Sequence, residues 1–307
     1  MDFVTFGIIL DDIVRADGFS ASGLLGGGGP QTAFGMRLWA TQWEVGLVAR
    51  VGADLPAQAW EWLQASEIDA QGVQATAWPT LRAAQRLDAA GRRSQTWLVP
   101  DDVVQAQLKR SVADIPAGYR SARGWHVGVH PEAPDLDFLA ALRGLGGRVS
   151  VETFRLAERR LAPEALMALV SAADVFSPNR LSAQSLVGPG EPESLALRLI
   201  EAGAKVVALR MGALGSLVVE ARSLQAVRVP ALAVEVVDAV GAGNAYCGAF
   251  LTGWTDTGDI VEAGLRGAAA ASFVVEQFGT PEATAQVRRA ARERLEQLRP
   301  LAATLRL

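Results

Sequence analysis

Short apolar runs and amphipathic stretches alternate along most of the 307-residue chain. Residues 3–10 read as a first strand and 45–51 as a buried one, each being a nearly unbroken apolar run of strand length. From residue 125 onward the alternation is regular. Strand-like 125–129, 148–152 and 175–177 are followed by helical spacing at 134–143, 163–172 and 191–202, and 205–209 then leads into a turn. Such repetition calls for an α/β fold with a mostly parallel sheet and helices on both faces. Ligands of such sheets bind beyond the carboxyl ends of the strands. Residues 79–97 read as a hairpin instead, because Leu81, Ala83, Gln85 and Leu87 alternate before Asp88-Ala89-Ala90-Gly91. Two late stretches, 263–278 and 282–298, are helical, and the first is apolar enough to be buried.

The chemistry gathers in residues 234–254. Val234, Val236 and Val237 predict a strand that ends at Asp238; Gly241-Ala242-Gly243 turns the chain; Cys247, Phe250, Leu251 and Trp254 then recur at helical spacing. A glycine turn opening a helix lets N–H groups converge at the positive end of the helix dipole, and small residues let an anion come close. The segment is a cradle for phosphate, with a purely structural β–α turn as the plainer reading. Upstream, Gly26, Gly27, Gly28 and Gly29 precede Pro30-Gln31-Thr32-Ala33 and the apolar Phe34, Met36, Leu38 and Trp39. Bare backbone at a helix start allows a small molecule to lie against it. The immediate onset of a helix argues against a flexible linker.

Half of the residues are hydrophobic, enough for a large core, and nothing in the net charge of −4 suggests a polyanion-binding surface. Arg288, Arg289, Arg292 and Arg294 alternate with acids and alanine, which marks a solvated helix face rather than a nucleic-acid site. No basic segment precedes a long apolar one and no window has membrane length, so no membrane partner is expected and the cytoplasm is the expected location. The single Cys247 excludes an intramolecular disulfide and sits on an apolar helix face as buried filler. His126 and His130 lack the further ligands of a structural zinc site and read as structural or substrate-lining. Glu152, at a strand end, is a site candidate of open role. Asp54 suits an N-cap, with Pro56 just inside the helix.

Residues 238–244, Asp-Ala-Val-Gly-Ala-Gly-Asn, resemble the D-T-x-G-A-G-D signature of the PfkB, or ribokinase-like, sugar and nucleoside kinases. The stretch 26–33 resembles that family's G-G-x-x-x-N-x-A, with Gln31 in place of Asn, and 50–54 continues it near G-x-V-G-x-D. Asn179 matches the start of N-x-x-E, with Ser182 replacing the Glu. Residues 210–215 match T-x-G-x-x-G at Gly212 and Gly215, with Arg210 replacing the Thr. Asp12 stands at the family's distance from Gly7 for the acid that holds substrate hydroxyls, although a solvated Asp11-Asp12 turn is the plainer reading. These features follow family order over essentially the whole chain.

The resemblance implies one ribokinase-like domain over 1–307, a central mostly parallel sheet with helices on both faces, and a small β lid from roughly 10–30 and 78–100. It implies ATP-dependent, Mg2+-assisted transfer of phosphate to a hydroxyl of a sugar, nucleoside or similar small polyol. Gly241, Ala242 and Gly243 would then stabilise the transferring charge; Asp12, Gly27, Gly28 and Gln31 would place the acceptor. Asn179, Arg210, Gly212 and Gly215 would meet the nucleotide, its adenine lying between a closing helix and the 212–215 loop. Asp238 would mark a monovalent cation such as K+. The family's last signature residue is the Asp that takes the acceptor's proton, and the neutral amide of Asn244 cannot do so. A slow or altered kinase is therefore expected, with a noncatalytic nucleotide- or ligand-binding protein as the rival. A dinucleotide-dependent dehydrogenase fits poorly, because the G-x-G turn lies late in the chain and no acid follows it as a ribose partner. A homodimer is the assembly left open.

Overall fold

The computed structural model describes residues 1–40, 42–88 and 93–306. The first apolar run divides at Gly7, whose φ of 87° is a state that side chains disfavour. β1 (Phe3–Phe6) lies in the main sheet, whereas β2 (Ile9–Arg15) leaves it for a second one, so residues 3–10 are not the single strand expected. After β3 (Ser20–Gly26) come α1 (Gly28–Trp39), β4 (Val45–Val51), α2 (Ala57–Ala65) and β5 (Ile68–Ala75). The hairpin read over 79–97 is present as β6 (Arg82–Leu87) and β7 (Arg93–Trp97); Ala89, Ala90 and Gly91 fall outside the described residues. α3 (Asp101–Leu108) leads to the repeated units: β8 (Gly124–Val129) with α4 (Leu136–Leu145), β9 (Arg148–Thr153) with α5 (Pro163–Ser171), and β10 (Val175–Phe176) with α6 (Arg180–Val187) and α7 (Pro192–Glu201). The chain closes with β11 (Val206–Arg210), β12 (Ser216–Glu220), β13 (Gln225–Val229), α8 (Ala242–Thr257), α9 (Ile260–Val274), α10 (Ala285–Leu298) and β14 (Ala303–Arg306).

Among the described residues, ten strands pair in the order β14-β13-β12-β11-β10-β9-β8-β1-β4-β5. Neighbours from β11 to β5 are parallel, and the edge from β11 to β14 is antiparallel. The second sheet, β3-β2-β6-β7, is small; β2 and β6 run parallel and its outer pairs antiparallel.

Side chains alternate across the strands and divide the core into two layers. Val4, Val48, Val127 and Val149 pack with Phe138, Leu142, Leu169, Leu186 and Leu195 of α4 to α7. Phe3 and Leu47 point the other way, onto α1 and α8 through Phe34, Met36, Ala245 and Ala249. α1 and α8 cross so closely that a Cβ on Gly35 would overlap the Ala245 carbonyl, and one on Gly248 the Thr32 carbonyl. That crossing sets the start of α1 beside the start of α8. Among the described residues no helix is long and apolar enough to cross a membrane.

Two local expectations are corrected. Residues 234–237 form no strand: Val236 is 64% exposed, and the segment is tied instead by Val237 and Asp238 N–H groups donating to the Val275 carbonyl at 2.7 and 3.1 Å. Valine supplies β propensity there, but no neighbouring strand offers a ladder. Asp54 caps no helix either. Its Oδ1 accepts from the Thr80 N–H and hydroxyl, both at 2.8 Å, and α2 has Pro56 as its N-cap, without a side-chain cap.

Candidate active site

Gly241, at φ 88°, is the N-cap of α8, and the N–H groups of Gly243 and Asn244 in its first turn have no helical acceptor behind them. They lie at the positive end of a 16-residue helix. A Cβ on Gly241 would overlap the Gln31 side chain, so the glycine admits α1 to the turn. Asn244 Nδ2 donates to Gln31 Oε1 at 2.6 Å. A Cβ on Gly26 would overlap Asp11 Oδ2 and lie 3.3 Å from Gln31 Nε2, which places Asp11 and Gln31 on one side of the glycine run. Gln85 Nε2 completes the chain by donating to Asp11 Oδ1 at 2.7 Å. Asn244, Gln31, Asp11 and Gln85 thus lie in one row of polar side chains from the glycine turn of α8 to the small sheet. Gly27, at φ 84°, is closed by Ile9, and Gly28 opens α1 beside them.

Asp12 projects from the opposite face of β2. Arg82 donates to its carboxylate at 3.0 and 3.1 Å, Ser22 Oγ at 2.9 Å and the Gly23 N–H at 2.8 Å. Burial pushes this carboxyl up, but Arg82 and the other donors outweigh it and hold it below its ordinary value. The structure does not bring Asp12 together with Gln31; it brings Asp11. Neither Asp11 nor Gln85 stood out in the sequence, though Gln85 carried a signal: it is the polar exception among the inward positions Leu81 and Ala83.

Beneath the turn lies a second buried polar cluster. Arg210, at the end of β11, points inward, and its Nη2 donates to Glu152 Oε2 at 2.6 Å and to the Ser177 carbonyl at 2.7 Å. A Cβ on Gly243 would overlap Arg210 Nη1, so the guanidinium supports the first turn of α8 from below. His126 bridges Ser150 Oγ at 3.0 Å and Glu152 Oε1 at 3.4 Å, and Cys247 Sγ stands 3.9 Å from Glu152. Burial pushes the Glu152 carboxyl up, but the Arg210 cation and His126 more than offset it, and it sits at about 2. Burial also lifts the Cys247 thiol to about 12, so it stays protonated. Glu152 is a counter-ion enclosed by its partners. His126, Glu152 and Cys247 place ligand atoms close together, but the Arg210 cation already neutralises the carboxylate that a metal would need.

The remaining expected residues are dispersed around this centre. Asn179 Oδ1 caps α6 by accepting from the Ser182 N–H at 2.8 Å, and the Ser182 hydroxyl is buried. Gly215, at φ 82°, turns so tightly that a Cβ would overlap the Val229 carbonyl, while Gly212, at φ 61°, faces open space. His130 pairs with Glu132 at 3.1 Å, away from the turn. At Asp238 the carboxylate accepts from the Val240 N–H at 3.1 Å, and Arg15 donates to the adjoining Val237 carbonyl at 3.1 Å.

The family model described as pfkB family carbohydrate kinase matches residues 20–286. The chain belongs to this family. A cytidine kinase from Thermococcus kodakarensis is 28% identical over 288 residues, spanning 91% of this chain and 98% of that protein. Among solved structures, a fructokinase double mutant from Vibrio cholerae with fructose, ADP and potassium ion superposes with a TM-score of 0.76 at 22% identity, covering 96% of this chain and 98% of that one. An Arabidopsis thaliana ribokinase with ribose and ATP gives 0.70 at 19% identity, with 96% and 98% covered. Identities this low establish the fold, which is ribokinase-like. Two residues read in the sequence as departures from the signatures it resembles are bonded to each other, since Gln31 and Asn244 share the 2.6 Å hydrogen bond. A third, Arg210, has its own partner in Glu152.

Proposed function

We propose that this PfkB-family protein transfers phosphate from ATP to a hydroxyl of a sugar, nucleoside or similar small polyol. The observation that carries the reading is the first turn of α8, whose free N–H groups end the polar row that begins at Asp11. Gly241, Ala242 and Gly243 shape the anion cradle, and the main-chain donors with the helix dipole stabilise charge on the transferring phosphoryl group. Gln31 and Asp11 orient the acceptor against Gly27 and Gly28. Asn244 spends Nδ2 on Gln31, which leaves Oδ1 to accept a hydrogen bond from the attacking hydroxyl. An amide cannot keep the proton, which leaves instead for an oxygen of the transferred phosphate or for water as ADP departs, so transfer relies on positioning and charge stabilisation and is slow. The likeness to a cytidine kinase makes cytidine the first acceptor to assay.

Mg2+ supplies charge neutralisation between the phosphates when bound. The nearby donor set offers it little directly, because Glu152 is paired with Arg210 and Ser182 replaces an acid. It would enter held by the nucleotide's own phosphates and water, a mode common for this ion. A monovalent cation at Asp238 would share its segment with the Arg15 guanidinium. The noncatalytic rival is favoured by two features, Asn244 and Ser182, each standing where the resemblance calls for an acid.

Calorimetric titration with ATP and ADP in the presence of Mg2+ is expected to show saturable binding. No heat and no thermal shift at millimolar nucleotide would overturn the kinase and nucleotide-sensor readings together. For the acceptor, Asp11→Asn is expected to weaken binding roughly tenfold or more, because a charge-assisted hydrogen bond is lost. Asp12→Asn should leave acceptor affinity near that of the wild type. The reverse pattern would put the acceptor on the other face of the small sheet.

A further inference from the structure

We infer that Gln85 is a specificity residue of the acceptor site, its side-chain carbonyl accepting a hydrogen bond from a hydroxyl next to the one held by Asp11. The inference rests on the kinase reading and adds a substrate class to it. Gln85 lies within β6 and is 2% exposed, an uncommon burial for a long amide. Its Nε2 has two hydrogens, and both are committed, to Asp11 Oδ1 at 2.7 Å and to Gln95 Oε1 at 3.1 Å. A carboxylate only accepts, so turning the amide over would set two acceptors against each other. The direction of Oε1 is thereby locked. That oxygen is buried and has no hydrogen-bond partner among the described residues. A buried carbonyl left without a donor is rare in folded proteins and calls for one from a ligand or water.

The register of the small sheet gives this oxygen its setting. β2 and β6 pair with Asp11 opposite Ala83 and Ile13 opposite Gln85, so Gln85 reaches Asp11 diagonally on one face. Asp12, Arg82 and Ser22 take up the other face with their own ion pair. A molecule lying along the glycine run would therefore meet Asp11 and Gln85 Oε1 as neighbouring acceptors. Two acceptors side by side select two donors side by side, the adjacent hydroxyls of a sugar ring. They disfavour an analogue that lacks one of them, because the buried carbonyl is then left unpaired.

The test compares wild type with Gln85→Leu and the more nearly isosteric Gln85→Met. Each is titrated calorimetrically with cytidine, adenosine and D-ribose, and with the 2-deoxy and 3-deoxy counterpart of each. ADP binding is measured on the same preparations to verify an intact site. Wild type is expected to prefer the fully hydroxylated member of at least one pair by roughly tenfold. In both variants that preference should fall towards unity with ADP affinity retained. Undiminished preference in variants that still bind ADP overturns the inference alone, as does a wild type that binds these molecules without any preference. A wild type that binds ADP but none of them also overturns the inference, and one that binds neither ADP nor any of them overturns the kinase reading, and the inference with it.

Discussion

Asn244→Asp is expected to raise turnover of a bound acceptor by roughly tenfold while leaving nucleotide affinity nearly unchanged, a part of the 10²- to 10⁴-fold that a general base contributes. The new carboxylate would stand in the first turn of α8, where the dipole favours negative charge. It would also inherit the contact with Gln31. Asn244 donates to Gln31 Oε1, so a carboxylate there faces a carbonyl unless Gln31 turns its amide over. A turned amide presents Oε1 towards Asp11, which is again an acceptor. One of these two repulsions persists in the single variant and holds the gain below its full size. Pairing it with Gln31→Asn shortens the side chain and relieves both, so the double variant should exceed the single one. Initial rates with a saturating acceptor, with nucleotide binding checked by calorimetry, decide the matter. A fall in turnover with binding intact would show that added charge beside the phosphoryl group costs more than a base contributes. No turnover in any variant, with ligands bound, would leave the noncatalytic reading standing. Glu152 is not a substitute base, because Arg210 and His126 enclose it and keep it ionised.

The coupling of Gln31 to Asn244 also marks how far the sequence could be read. Glycines and strand ends are legible because they act locally. Val45–Val51 is a strand with the bounds its apolar run predicts, and Gly241 has the positive φ that a tight turn into α8 needs. Parity is harder. Which of Asp11 and Asp12 lies beside Gln31 depends on where β2 begins; the break at Gly7 and the irregular register between Asp11 and Ile13 both reset the alternation. Residues 234–237 misled for another reason, since apolarity signals burial in a sheet only when a neighbouring strand is there to pair. The antiparallel edge from β11 to β14 went unforeseen because a short alternating run looks alike in either direction. Pairings between distant residues left no trace. Arg210 and Glu152 are 58 positions apart, and each reads alone as a residue at a strand end aimed at a ligand.

That buried pair carries the other large expected effect. Glu152→Gln should destabilise the fold by about 3–5 kcal/mol, because it leaves the Arg210 cation buried with the Ser177 carbonyl and no counter-charge. Chemical denaturation at neutral pH measures the loss. The sign with pH follows from the depressed carboxyl: its ordinary value is 4.5 and its folded value about 2. The stabilisation is fully present above the unfolded value and disappears as pH falls through the folded one. Wild type should therefore lose stability more steeply than Glu152→Gln over that window. Removing both charges with Glu152→Gln and Arg210→Met should recover most of the loss, since apolar replacement of a buried ion pair is often neutral. Nucleotide affinity should move the opposite way in the single variant. Arg210 Nη1 lies directly under Gly243, and without Glu152 its charge is no longer offset beneath the turn proposed to receive phosphate. A protein less stable when empty yet tighter for ADP is the expected signature. Unchanged stability would mean that the ion pair does not form in solution, and weaker ADP binding would mean that Glu152 shapes the turn rather than balancing the charge below it.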